Sequence, residues 1–70
     1  MKAILRGVRA EANLTQGELG VLIGRYFAMP AIAQETISKW ENPRSTLEIP
    51  SCYLGAVAQA CRVPAERMMV

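Results

Sequence analysis

Polar side chains able to contact a nucleic acid are concentrated between positions 33 and 42. At helical spacing, Ala33, Ile37, Trp40 and the aliphatic part of Glu41 fall on one side of a helix. The opposite side then carries five polar residues, Gln34, Glu35, Thr36, Ser38 and Lys39. Carboxamide, carboxylate, hydroxyl and ammonium groups can pair with base edges and phosphates. The pattern therefore predicts a helix that is buried on one side and could read DNA with the other.

The same polar side is also typical of an ordinary surface helix in contact with water. The overall charge leaves both interpretations open, because the net charge is +2 and the chain has no histidine. A clearly basic chain would have indicated a nucleic-acid partner more directly.

Hydrophobic spacing predicts a single compact all-α domain over residues 1–70. Five helices are expected, at about residues 2–13, 16–23, 31–41, 50–61 and 64–69. Asn13 suits the left-handed conformation that ends a helix, so the first helix should stop there. Thr15 with Glu18 three residues later has the spacing of a capping box, which marks the start of the second helix. Gly24 is the expected end of that helix.

The segment after Gly24 shows no hydrophobic period, so a loop is predicted as far as about Pro30. Proline is well tolerated at the first helical position, and the third helix is therefore expected to begin near residue 31. Asn42-Pro43 should end it, and Pro50 should open the fourth helix. Val63-Pro64 is expected to separate the fourth helix from the fifth.

Composition limits the functional classes further. A chain of 70 residues buries only about 60% of its unfolded surface, so this domain should gain stability from a partner. No apolar run reaches the roughly 18 residues of a membrane span and the N-terminus lacks a secretory pattern, so a cytoplasmic protein is expected. An enzyme is not expected, because histidine, a glycine-rich phosphate loop and enough chain for a cleft are all missing. No cofactor is expected either.

The two cysteines, Cys52 and Cys61, are expected in one helix, about 13 Å apart along its axis. At that distance they cannot form a disulfide with each other. Two thiols without histidine also exclude a structural zinc site within one chain, so no metal is expected. Both cysteines are interpreted as small apolar residues that are buried or half-buried.

Four segments resemble signatures of the Cro and repressor type of helix-turn-helix protein, the XRE-like or lambda-repressor-like family. In chain order they are Val8-Arg9, Leu14 to Leu19, Thr36 to Asn42, and Val57 to Val63. None of them is specific alone, but four in the expected order make a strong signal that covers most of the chain. The resemblance implies a five-helix fold whose second and third helices form a DNA-reading pair.

The resemblance also implies which residues read bases. Gln34 would pair with adenine N6 and N7, and Glu35 would accept from cytosine N4. Thr36 would offer its methyl to thymine or its hydroxyl to a phosphate. Lys39, one turn further along, would reach guanine or the DNA backbone.

A second group would hold phosphates. Gln16, at the start of the second helix, would place its carboxamide and the free helix N–H groups against a phosphate. Asn42 and Arg44, which follow the third helix, would clamp the DNA backbone. Ser38 and Arg25 are further candidates for phosphate contacts.

Two residues are expected to be structural: Arg9 and Glu41 would form a partly buried pair that ties the first helix to the end of the third. Trp40 is expected in the core rather than stacked on a base. The connection over residues 25–31 makes the interval between the second and third helices roughly seven residues longer than is usual in the family. Its Tyr26 and Phe27 are interpreted as packing under the loop, with ligand contact as the alternative.

The apolar end of the chain is the candidate dimer interface, with intrachain packing as the alternative. Its residues are Tyr53, Leu54, Met68, Met69 and Val70. The expected function is a sequence-specific transcriptional regulator of phage or prophage type, which represses by binding a pseudo-palindromic double-stranded operator as a homodimer. The alternative is a protein-binding module such as an antitoxin, which would grip a partner through this apolar end.

Overall fold

Four α-helices and two short 3₁₀ segments build the computed structural model, which describes residues 2–68. The α-helices are α1 (Lys2–Glu11), α2 (Gln16–Tyr26), α3 (Gln34–Glu41) and α4 (Leu54–Cys61), and the 3₁₀ segments are Ser51–Tyr53 and Ala65–Met68. The predicted all-α class is confirmed, and residues 2–68 contain no β-strand. The predicted count of five helices is not confirmed, because the last segment, Ala65–Met68, is a single 3₁₀ turn.

One hydrophobic core joins all four helices. Its most completely buried side chains are Leu5, Leu19, Ile23, Ile37, Val57 and Met68. The radius of gyration of the Cα atoms is 10.7 Å, close to the roughly 11 Å expected for a folded chain of this length. Trp40 is only 3% exposed, so its predicted place in the core is confirmed.

The turn between α1 and α2 forms as its sequence predicts. Asn13 adopts a left-handed backbone with φ of 58°, although α1 itself ends two residues earlier, at Glu11. The Thr15 hydroxyl accepts from the Glu18 N–H at 3.1 Å, and the Glu18 carboxylate accepts from the Thr15 N–H at 2.8 Å. The predicted capping box therefore begins α2, at Gln16.

The predicted end of α2 is wrong. The helix continues through Gly24 to Tyr26, and only residues 27–33 connect it to α3. Gly24 is buried inside the helix, where a Cβ would lie 2.8 Å from the Pro30 carbonyl oxygen. This glycine lets the connection pack directly against α2, rather than ending the helix.

The start of α3 also differs from the prediction, since the helix begins at Gln34 and not near residue 31. Residues 30–33 are not helical, and the Ile32 N–H donates to the Gly20 carbonyl in α2 at 3.1 Å. Ala33 precedes the helix and is exposed, so it is not part of the buried side. Pro50 is extended and does not open a helix; the predicted 50–61 helix is a 3₁₀ turn followed by α4.

Both cysteines are free, but they differ in exposure. Cys52 is exposed, which contradicts its predicted burial, because it lies in the 3₁₀ turn rather than in a long helix. Cys61 is buried in the core, and that burial raises the pKa of its thiol despite the opposing effect of nearby Arg9. None of the described helices has the length and apolar character needed to cross a membrane.

Candidate nucleic-acid interface

The outer side of α3 is polar and accessible. Because successive helical residues are rotated by about 100°, Ile37, Trp40 and Glu41 turn inward together. Four residues on the other side are exposed, namely Gln34, Glu35, Ser38 and Lys39. Thr36 is half-buried, so this predicted base reader is less accessible than its neighbours.

These four side chains and Gln16 of α2 line one open groove of about 520 Å³. Three of the four predicted base readers, Gln34, Glu35 and Lys39, thus share a surface with the predicted phosphate ligands Gln16 and Ser38. The long connection between the helices does not line this groove, so it does not cover the outer side of α3.

The polar groups of the groove are available to a ligand. Among residues 2–68, the side chains of Gln34, Glu35, Ser38 and Lys39 take part in no intrachain hydrogen bond or ion pair. The beginning of α3 has no side-chain cap, since Ala33 occupies the N-cap position. Unpaired N–H groups at a helix start favour negative charge.

A partly buried ion pair links α1 to the end of α3, one of the two helices that line the groove. Arg9 Nε donates to Glu41 Oε2 at 2.6 Å and Arg9 Nη2 to Glu41 Oε1 at 2.9 Å. The remaining Arg9 Nη1 donates to the Leu14 carbonyl at 2.8 Å. The structure thus brings together the pair expected from the family resemblance, and it links α1, the α1–α2 turn and the end of α3. Hydrogen bonding to Glu41 raises the pKa of Arg9 against the opposing effect of burial.

Gln16 belongs to the same network, which sequence analysis did not anticipate. Its Nε2 donates to Glu41 Oε1 at 3.2 Å, so the carboxamide is held in place at the edge of the groove. The second amide hydrogen and the carbonyl oxygen have no described intrachain partner and stay available. The capping box occupies the Glu18 N–H and leaves the N–H groups of Gln16 and Gly17 without an acceptor among the described residues.

The turn after α3 presents two more predicted phosphate ligands. Asn42 Oδ1 accepts from the Arg44 backbone N–H at 2.9 Å, and both residues are exposed. Lys2 was missed by sequence analysis, although it lies at this end of α3. Its ammonium donates to the Lys39 carbonyl at 3.0 Å and to the Leu47 carbonyl, and it approaches Glu48 at 3.9 Å. No sequence pattern indicates that the start of α1 meets the end of α3.

Arg25 lies apart from the other phosphate candidates. It is in the last turn of α2 and lines a different groove, between α2 and α4. Gln16 and Arg25 are nine positions apart, which is about two and a half helical turns, so their side chains leave α2 on opposite sides. The prediction of a loop at Arg25 placed it wrongly.

Phe27, in the connection, packs against the core, whereas Tyr26 is exposed and lines the groove between α2 and α4. Tyr26 ends α2 and is 48% exposed, while Phe27 is half-buried. The Phe27 ring packs edge-on against both Tyr26 and Tyr53, with ring centroids 4.9 and 5.4 Å apart. Tyr53 in turn lies 5.5 Å from Trp40, which leads this aromatic row to the inner side of α3.

The structure removes one residue, Met68, from the predicted dimer surface. Met68 is completely buried within the chain, so it is not part of an exposed patch. It packs in the core because the last 3₁₀ segment folds back against α1 and α4. Tyr53 and Leu54 are half-buried, and Met69 and Val70 lie outside the described residues.

Comparison with known proteins adds no relative. No protein-family model, no curated protein and no solved structure matches this chain. Within residues 2–68, no three histidine, cysteine or acidic side chains are grouped as metal ligands. The geometry of the groove is therefore the basis on which a function can be inferred.

Proposed function

We propose that this protein binds double-stranded DNA in a sequence-specific manner and regulates transcription in the cytoplasm. One observation supports the proposal most directly: the outer side of α3 and the start of α2 line a single open groove, in which the polar side chains of α3 have no partner among residues 2–68. In a helix-turn-helix, the second helix of the pair enters the major groove while the first crosses the DNA backbone. The lambda-repressor-like arrangement of α2 and α3 belongs to the same proposal.

The base-reading step is assigned to the first turns of α3. An α-helix with its side chains is about 10–12 Å across, which suits a major groove about 12 Å wide. Gln34 would read adenine, Glu35 would accept from a cytosine amino group, and Lys39 would reach guanine. Thr36, being half-buried, would make only a short-range contact such as its methyl against thymine.

The backbone-binding step is assigned to the rim of the groove. Gln16 and the free N–H groups at the start of α2 would hold one phosphate. Ser38, Asn42 and Arg44 would hold phosphates on the other side of α3. Each neutralised phosphate releases counterions, so affinity should fall with rising salt.

The active unit is proposed to be a homodimer on a pseudo-palindromic operator. Half-sites one helical turn apart are separated by about 34 Å, and the longest dimension of the domain is 29 Å. Two copies can therefore bind neighbouring major grooves and still approach each other. Repression of a phage- or prophage-type promoter by occlusion is the proposed outcome.

Selection of bound duplexes from a random pool tests the proposal. An enriched inverted repeat should appear, and its affinity in fluorescence anisotropy should fall steeply between 50 and 200 mM salt, by about tenfold or more. Gln34→Ala should relax preference at one base pair by about tenfold. Gln59→Ala is the matched control, since Gln59 is an exposed glutamine on α4, away from this groove.

Arg44→Ala separates the two kinds of contact. It should weaken binding to all duplexes alike and leave the enriched sequence unchanged. Failure to enrich any sequence, together with weak binding at every salt concentration, would instead favour the partner-binding alternative. That alternative has less surface available than the sequence suggested, since Met68 is buried.

A further inference from the structure

A second groove, of about 590 Å³, lies between α2 and α4. Its floor is apolar and made largely of small or half-buried side chains, Ala12, Leu14, Leu22, Ala56 and Ala60. None of the residues that line it also lines the groove beside α3. The two grooves are therefore separate surfaces.

Two exposed arginines border this second groove. Arg25 comes from the last turn of α2, and Arg62 follows the end of α4. Among residues 2–68, neither guanidinium is paired with a carboxylate, and no acidic residue lines the groove. The surface thus combines an apolar floor with two uncompensated positive charges.

Arg62 extends its guanidinium from the residue that caps α4. Arg62 caps α4 in a left-handed conformation, with φ of 57° and ψ of 43°. Its N–H donates to carbonyls of the last turn of α4, which any residue other than proline can do. Glycine fits this conformation with least strain, so what arginine adds here is its guanidinium.

We propose that this groove docks an acidic segment of a partner protein. The segment would place one large apolar side chain on the floor, with carboxylates on either side that pair with Arg25 and Arg62. Complementary charge over a small apolar patch gives specificity at an otherwise weak interface.

A second copy of this chain fits the groove less well. In a two-fold dimer each surface patch faces the same patch of the other copy, so the arginine-bordered grooves would meet with like charges. An apolar floor also suits a phosphodiester chain poorly. Because Arg25 and Gln16 leave α2 on opposite sides, a partner could occupy this groove while the α3 side is in contact with DNA.

The first test uses the whole chain, labelled with ¹⁵N, and two synthetic peptides without DNA. One peptide has twelve residues with a central leucine flanked by glutamates, and both ends are blocked. The other carries glutamine in place of each glutamate. Saturable shifts of the amide signals of Leu22, Arg25, Ala60 and Arg62 are expected with the acidic peptide only.

Substitutions then separate charge from structure. Arg25→Gln and Arg62→Gly should each weaken binding of the acidic peptide by about tenfold. Arg62→Gly should at the same time raise Tm by about 4 °C, since it removes left-handed strain. A merely structural role for Arg62 would not combine a more stable fold with weaker binding. Arg6→Gln on α1 is the matched control and should leave peptide affinity unchanged, because Arg6 is exposed and lies outside this groove.

Several results would overturn the proposal. Equal binding of the two peptides would show that charge is not recognised, and shifts confined to α3 would show that the peptide binds the other groove. No saturable binding at millimolar peptide would exclude docking of such a segment. The same amide shifts on raising the protein concentration alone would assign the groove to a second copy. Because DNA is absent from these experiments, their outcome is independent of the DNA-binding proposal.

Discussion

Two parts of α2 are held by different means, its first turn and the stretch around Gly20 and Gly24. At its beginning, side chains make the contacts: Thr15 and Glu18 cap the helix, and Gln16 bonds to Glu41. At Gly20 and Gly24, further along the helix, a side chain is missing where it would interfere. A Cβ at Gly20 would lie 2.1 Å from the Ile32 carbonyl oxygen, because the connection packs against the helix there. Polar contacts fix the first turn, and close backbone approach fixes the stretch around Gly20 and Gly24.

Gly20→Ala should have the largest effect on this helix. The added Cβ must push the connection away and lengthen the hydrogen bond from the Ile32 N–H to the Gly20 carbonyl. Overpacking and the weakened hydrogen bond together should lower the free energy of unfolding by about 4 kcal/mol. Domains of this size have a free energy of unfolding of about 4 to 10 kcal/mol, so the urea concentration at the midpoint of unfolding should fall by about half or more.

Gly7→Ala is the matched control for that substitution. Gly7 lies inside α1, and a Cβ there meets nothing within 4 Å. Alanine should therefore stabilise the fold by about 0.5 to 1 kcal/mol through its helix propensity. If Gly20→Ala and Gly7→Ala changed the free energy of unfolding equally, the close approach of the connection to Gly20 would have no energetic consequence.

Glu41→Gln should have the next largest effect, and it would act on the first turn of α2. It leaves Arg9 without its charged partner in a site where the Glu41 side chain is 5% exposed, and it weakens the bond to Gln16. Breaking such a pair should cost about 3 kcal/mol in thermal or urea denaturation. Glu11→Gln removes a carboxylate of similar kind from the exposed pair with Arg67, and should cost less than about 0.5 kcal/mol. Similar losses from both would contradict a special role of the buried pair.

Thr15→Ala removes the cap alone and should cost about 1 kcal/mol. The Tm should fall by about 4 to 8 °C, measured by circular dichroism. Thr15→Ser keeps the hydroxyl and should retain most of that stability. An unchanged Tm in the alanine variant would mean that the network with Glu41 is sufficient to hold the start of α2.

Gly17→Ala should have the smallest effect, and of opposite sign to that of Gly20→Ala. Gly17 is in the first turn of the same helix, where a Cβ meets only the Thr15 hydroxyl, at 3.9 Å. A gain of about 0.5 kcal/mol is expected in urea denaturation. A loss of stability comparable to that of Gly20→Ala would remove the distinction between the first turn and the stretch around Gly20 and Gly24.

The contrast within α2 explains which parts of the fold were predictable. The Thr15 and Glu18 spacing and the left-handed preference of Asn13 are local properties, and both form as expected. Gly24 was taken as a helix end because glycine often has that role. Its actual role depends on where residues 29–31 pack, and no local pattern records that.

The candidate site was predictable only in part, because only some of its residues are placed by a local pattern. The helical period of α3 places Gln34, Ser38 and Lys39 on the outside without knowledge of the rest of the chain. Arg25 was misplaced because the end of α2 was misjudged, so it was expected in a loop but lies in the last turn of α2. The approach of Lys2 to the end of α3 depends on how α1 packs, which the sequence does not specify locally.

Trp40 is the only tryptophan of the chain, and it packs 5.5 Å from Tyr53 on the inner side of α3. Its indole is therefore a built-in optical probe at the back of the surface proposed to read DNA. Trp40 should fluoresce at short wavelength while α3 is packed on the core, and its emission should shift to longer wavelength if α3 moves and exposes the indole to water. Stopped-flow mixing with an operator could follow that movement without any attached dye.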